Sequence, residues 1–314
     1  MRVLLSILSI LILAGCAFVK VNVAAEPGKL TEQVVEGKGR AKIAVVDITG
    51  IISLAPFGFD RFSKRPPLVP RLKEELERII KDDKVVGVVV RIDSPGGSVT
   101  ASDILYHELR RVREKRKIPV VACIMDKGFS GGFYAALAAD EIMAHPTSVL
   151  GGVGVISFKL TVAELLEKWG VEISTVRSGP LKDFWSPLRQ SRPEETALMQ
   201  AITDRLHGRF MSLLTESRRL SPEAQKAVAT GRIFDAGEAM EIGLIDRIGY
   251  LEDAVSRTRE LAGVTDARVI LYRSEGAFAG NIYTTAPYLP LKFGALESGV
   301  EELFSPGFRY QYLP

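Results

Sequence analysis

The chain has 314 residues, 46% hydrophobic and 25% charged, the balance of an ordered globular protein long enough to bury a full core. Its formal net charge is only +3 with both signs interleaved, so it lacks a basic stripe able to neutralise phosphates, which excludes nucleic acid as a partner. Two cysteines, three histidines and no C-x-x-C or H-E-x-x-H spacing exclude a disulfide framework and leave a zinc site without support, so no metal or cofactor is expected.

Residues 1–19, MRVLLSILSILILAGCAFV, place Arg2 ahead of an apolar run near the ~17-residue lower limit for crossing a bilayer. The run reads as a signal segment. Its end, Leu13-Ala14-Gly15-Cys16, resembles a bacterial lipoprotein box, in which residues 1–15 are removed and Cys16 becomes lipidated; the alternative is an uncleaved signal anchor over residues 1–19. Either form exports the rest of the chain and leaves it tethered to the membrane on its extracytoplasmic side, in the cell envelope.

From Ala41, AKIAVVDITGII is a β-branched run suited to a strand, and the Pro-rich SLAPFGFDRFSKRPPLVP after it reads as a surface loop. PRLKEELERIIKD carries Leu72, Leu76, Ile79 and Ile80 at helical spacing, and VVGVVVRID is the continuous apolar run of a doubly covered parallel strand. The alternation goes on through the helix TASDILYHELRRVREKR, the buried strand KIPVVACIMD with Cys123 as a small hydrophobe, and the small-residue helix SGGFYAALAADEI. EIMAHP, VLGGVGVI, the helix TVAELLEKWG and a strand VEISTVRSG complete an α/β pattern of repeated strand-helix units. A capping box at Ser191-Arg192-Pro193-Glu194 predicts a long helix to about Arg219, and Ser221-Pro222 opens another, so the C-terminal part is mainly helical. The domain is expected over residues 41–262, with a tail over 263–314 that shows no clear period from Tyr272 onward.

The chemistry centres on DKGFSGGFY, where Gly128-Phe129-Ser130-Gly131-Gly132 spells G-x-S-x-G. A serine hydroxyl needs a base within hydrogen-bond reach and donors for the oxyanion it creates, and neighbouring glycines let backbone N–H groups come close. A second glycine turn, Ser94-Pro95-Gly96-Gly97-Ser98, follows another buried strand, at the end of a sheet where α/β folds place their ligands. A hydrolase elbow would need a later acid and histidine, but His107 falls in a helix, His145 lies too near the serine in the chain, and His207 sits on a charged helical segment. A lysine can take the role if burial brings its pKa from ~10.4 toward 7 to 8. Lys182, between Leu181 and the pair Phe184-Trp185, has the most apolar company of the lysines; read from its neighbours alone, it is equally a snorkelling loop residue.

Five ordered blocks, RIDSPGGSV, DKGFSGGFYAALAAD, VLGGVGVI, SGPLKDFWSP and ATGRIFDAGEAMEIGLIDRIG, resemble the signal peptide peptidase A family of serine–lysine peptidases over roughly Lys42 to Ala262. The resemblance implies a Clp-protease/crotonase-like fold, Ser130 as nucleophile, Lys182 as general base, and the N–H groups of Gly97 and Gly131 as oxyanion hole. It also implies peptide substrates, namely remnant signal peptides and other hydrophobic segments cut at the membrane. The half-size length resembles members that form homo-oligomeric rings, up to octamers, whose sites are shared between protomers. Two departures stand out: Lys127-Gly128-Phe129 replaces alanines before the serine, and Gly151-Gly152-Val153-Gly154 lacks the serine of a Gly-Ser-Ile-Gly loop, for which Ser178 is a candidate substitute. A crotonase-type acyl-thioester enzyme and a non-catalytic membrane scaffold are the alternatives. The apolar end GFRYQYLP is expected to be able to fold back into the groove as a tethered peptide.

Overall fold

A computed structural model describes residues 30–55, 67–274, 280–284 and 309–311. The leader with Cys16 lies outside the described residues. Among the described residues no helix is long and apolar enough to cross a membrane.

Strand β1 (Leu30–Glu36) is an edge, and β2 (Ala41–Thr49) and β3 (Val85–Ser94) lie in the centre of the main sheet. Helix α1 (Leu68–Lys81) joins β2 to β3, β4 (Gly96–Ser98) follows at once, and α2 (Val99–Arg116) leads to β5 (Val120–Phe129). Then come α3 (Gly131–Ala136), β6 (Glu141–Ala144), β7 (Val149–Gly151), α4 (Ala163–Lys168), α5 (Pro193–Ser217) and α6 (Pro222–Ala229). The rest is β8 (Ile233–Asp235), α7 (Ala236–Glu241), β9 (Arg247–Ile248), α8 (Leu251–Leu261), β10 (Ala267–Ser274) and β11 (Arg309–Gln311).

The sheet runs β1-β10-β2-β3-β5-β6-β9, with β7 alongside β5 and β8 beyond it. All neighbours are parallel except the β1–β10 and β7–β8 pairs. Parallel pairing forces crossovers, and the helices they carry cover both faces, which is why the central strands read as unbroken apolar runs. The two-residue alternation is still visible in the packing. Val88, Val90 and Ile92 of β3 face the side covered by α1 and α2, whereas Val89 faces α8 with Ile43 and Val45 of β2. Strand β10 pairs in parallel with β2 from Ala267 to Leu271, so the sheet extends beyond the expected 41–262 boundary at both ends.

Two sequence expectations fail locally. VEISTVRSG forms no strand and is exposed from Val171 to Ser178, because among the described residues no sheet edge pairs with it; Val176 is 99% exposed. The long helix begins at Pro193, one residue later than the expected box implies, and its reciprocal cap runs from the Arg192 N–H to the Glu195 carboxylate at 3.0 Å. Ser191 instead accepts from Lys159 Nζ at 2.8 Å.

Candidate active site

β3 and β5 end side by side, with Ser94 paired to Gly128, and both glycine turns lie at these carboxyl ends. After β3 the chain bends at Gly96, whose φ of +98° suits glycine alone, while the Ser94 hydroxyl accepts from the Gly96 N–H at 3.1 Å and donates to the Gly50 carbonyl at 2.7 Å. Gly97 is constrained by proximity: a Cβ there would stand 2.0 Å from the Ile52 carbonyl oxygen. Ile52 bonds to the Gly96 C=O and the Ser98 N–H, both at 2.9 Å, and strand alternation therefore turns the Gly97 amide toward the opposite edge. Tyr310 of β11 lies on that edge, antiparallel and in register with Gly97.

Ser130 follows β5 directly and immediately precedes α3, with φ +51° and ψ −112°. A non-glycine residue holds such a conformation at a cost of about 1–3 kcal/mol, and only where its surroundings fix it. They do so here: the Ser130 N–H donates to the Gly151 carbonyl at 2.7 Å, and the Ser130 carbonyl accepts from Tyr134 at 2.8 Å. Gly132 allows the turn to press on β3, since a Cβ would come within 3.1 Å of the Ser94 carbonyl oxygen. Ser130 is 2% exposed, and its Oγ lies 3.4 Å from the Gly154 carbonyl oxygen. That contact is long, so among the described residues the hydroxyl proton has no strong acceptor.

None of the three histidines hydrogen-bonds Ser130. His145 stacks edge-on against Tyr250 and bonds Thr147, and His207 lies along α5 with its Nε2 unpaired. Lys127, three residues before the serine, is unsuited to be a base, because hydrogen bonding to Asp126 and the nearby Asp93 raise its pKa. Cys123 is fully buried, and burial pushes its thiol up to about 12, so it is inert packing.

Lys182 is not brought to Ser130 within one chain. It is exposed, on a turn whose N–H groups at Lys182, Phe184 and Ser186 bond back to Gly179, Leu181 and Asp183, and among the described residues its ammonium makes no hydrogen bond. The apolar burial expected from Leu181, Phe184 and Trp185 is not supplied by its own chain: Leu181 is itself 46% exposed, and Phe184 and Trp185 stack on each other. Ser178, the candidate substitute hydroxyl, is exposed on the same segment.

Two charge clusters escaped the sequence reading. Asp183 is gripped by Arg177, Arg189 and Arg192, and Arg189 also clasps the fully buried Glu195 of α5. Asp47 of β2 binds Arg91 of β3 and Arg273 of β10, each at 2.7 Å, and both arginines reach the carbonyl of Thr284. The sequence signal was an acid and a base at matching depth inside otherwise apolar strands. No group of histidine, cysteine or acidic side chains suited to a metal occurs among the described residues.

Residues 112–265 match the model of peptidase family S49. The chain is 33% identical over 249 residues to the SppA homologue of Enterococcus faecium, covering 79% of this chain and 72% of the relative. It is 38% identical over 232 residues to a protease of Synechocystis sp., covering 74% and 78%. Among solved structures, the membrane-bound stomatin-specific protease 1510-N aligns with 70% of this chain and 86% of its own at 16% identity, with a TM-score of 0.42. The chain therefore belongs to the signal peptide peptidase A family, peptidase family S49, and is a serine peptidase built on a mainly parallel α/β sheet.

Proposed function

We propose that this peptidase is a membrane-tethered endopeptidase using a Ser130–Lys182 dyad, with Lys182 supplied by a neighbouring copy in a homo-oligomeric ring. The observation that carries the reading is Ser130 itself, held buried at positive φ between β5 and α3 with no base bonded to it among the described residues. The segment bearing Lys182 supports the sharing: it exposes Leu165, Trp169, Val171, Ile173, Val176, and Leu181, which a second copy would cover. Covered in that way, the lysine would lose water and its neutral form would be favoured.

The neutral Lys182 amine takes the proton as Ser130 Oγ attacks the scissile carbonyl, and the Gly97 and Gly131 N–H groups receive the oxyanion. The ammonium then passes its proton to the leaving amine, and water, activated by the same lysine, releases the acyl group. Substrates are extended apolar peptides, including remnant signal peptides. They would dock as an antiparallel strand on β4, the edge that β11 of the chain's own C-terminus takes in this structure. Membership of a peptidase family displaces the acyl-thioester alternative.

The test is hydrolysis of apolar fluorogenic peptides by the assembled wild type, Ser130→Ala, Lys182→Ala, and the two variants mixed during assembly. Both single variants should lose at least ~10³-fold in kcat, as loss of a catalytic group does. Partial recovery in the mixture is expected, because mixed rings contain sites with both groups intact. Full activity from a stable monomer would refute the shared site, and activity in Lys182→Ala would refute the lysine base.

A further inference from the structure

Resting on the reading of Lys182 as base, we infer that Asp183 is a positioning residue whose charge is neutralised by an arginine clamp, so that Lys182 is aimed outward without gaining a carboxylate partner. The geometry brackets the lysine on both sides. Arg192 donates to the Pro180 carbonyl at 2.7 Å and to Asp183 Oδ1 at 3.1 Å, two residues before Lys182 and one after it. Arg189 donates to Asp183 Oδ2 at 2.7 Å and to the Asp183 carbonyl at 2.9 Å, and Arg177 adds a third guanidinium on Oδ2. The clamp is anchored in the fold: Arg189 forks onto Glu195, which is completely buried at the first turn of α5, and the Arg189 carbonyl accepts from Lys159 at 2.8 Å.

An aspartate next to a catalytic lysine would ordinarily hold the ammonium form and spoil the base. Here its carboxylate is consumed. Hydrogen bonds from Arg189 and Arg177 hold the Asp183 carboxyl well below the usual range, and Arg189 first and Arg192 next bring Glu195 to about 2. The charged groups around Lys182 are Arg177, Asp183 and Arg189 on its own segment, Arg192, Glu194 and Glu195 at the start of α5, Lys159 after β7, and Glu164 of α4, which accepts from Gln190 at 3.2 Å. Three guanidiniums and an ammonium match these four carboxylates, so the clamp leaves no unbalanced carboxylate beside Lys182.

The experiment is the pH dependence of kcat/KM, with the rate of Ser130 labelling by a fluorophosphonate, in assembled protein carrying Arg177→Met, Asp183→Asn or Arg177→Lys. Arg177 is 38% exposed and, among the described residues, pairs with no carboxylate but Asp183, so its loss should leave the fold intact. Arg177→Met removes one of the three cations on the carboxylate and leaves Arg189 and Arg192 in place; the acidic limb should move up by about 0.5–1 pH unit, a roughly 3- to 10-fold rate loss below it. Asp183→Asn removes the carboxylate and should move the limb down, while kcat at the plateau falls about 10-fold with KM little changed. Arg177→Lys should restore the wild-type limb. A purely structural salt bridge would lower the plateau in both variants with the limb fixed, and that result overturns the inference. Activity retained in Lys182→Ala is a different outcome: it removes the lysine base and the clamp's purpose with it.

Discussion

At Gly97 and Gly152 the site depends on glycine for different reasons, and substitution should separate them. A methyl on Gly97 would meet the Ile52 carbonyl oxygen at 2.0 Å, so β4 must shift away from Ile52 and carry the Gly97 amide with it. Gly97→Ala should therefore lower the urea midpoint by the equivalent of about 1–3 kcal/mol and, with the Gly97 N–H in the proposed role of oxyanion donor, cut kcat about 10²–10³-fold. Gly152 sits at φ +60°, a region a serine can occupy at a cost of about 1–2 kcal/mol. Gly152→Ser should cost that much stability without lowering kcat, since it adds the hydroxyl that the family loop carries elsewhere; a large loss of kcat would mean the loop is built differently. The turn that holds Ser130 and the second glycine turn were legible in the sequence, because glycine spacing after apolar strands reports a backbone requirement. The surroundings of Lys182 were not. Neighbours in sequence suggested an apolar pocket, but a turn spreads consecutive side chains in different directions, and the local arginines, not the aromatics, determine where Asp183 points.

Among the elements, α1 and the central strands share a buried charge cluster whose pH response can be signed. Burial pushes Asp47 up, but Arg91 and Arg273 more than offset it and hold the carboxyl below its usual value. Glu75 of α1 is less well served. Arg71 meets its Oε1 at 3.0 Å and Oε2 is unpaired, so burial raises its pKa from 4.5 to about 7. A carboxyl raised on folding contributes stability that is present below pH ~4.5 and lost as pH climbs through about 7. That difference of about 2.5 units corresponds to an upper bound of about 3 kcal/mol. Glu75→Gln, which keeps an oxygen for Arg71, should raise Tm at pH 8 and give nearly no change at pH 4.5. An equal Tm difference at both pH values would show that Glu75 does not titrate on unfolding. The strand and helix order was readable because continuous apolar runs and 3.6-residue periodicity reflect burial on two faces and on one. β10 was not readable, because ARVILYRS begins a stretch of sequence that shows no clear period, and only pairing with β1 and β2 identifies it as part of the sheet.

For the whole molecule, the C-terminal strand occupies the edge of β4 that is proposed to receive substrate. Arg309–Gln311 pair antiparallel with Gly96–Ser98, the edge proposed to receive an extended peptide, and Tyr310 stands opposite Gly97. The apolar end GFRYQYLP had suggested a tethered peptide, but only long-range register could show which edge it takes. A strand tethered to its own groove competes at an effective concentration in the millimolar range, so a peptide added at micromolar concentration must displace it first. Removing residues after Ser305 should then lower the apparent KM for apolar peptides several-fold and leave kcat unchanged, because the tail blocks binding without touching Ser130 or Lys182 chemistry. Restoring the tail in trans, as a synthetic peptide of residues 306–314, should inhibit the truncated enzyme competitively. If truncation leaves KM as it was and the peptide fails to inhibit, β11 rests on β4 as an edge cover that substrate does not contest, and the substrate strand binds elsewhere.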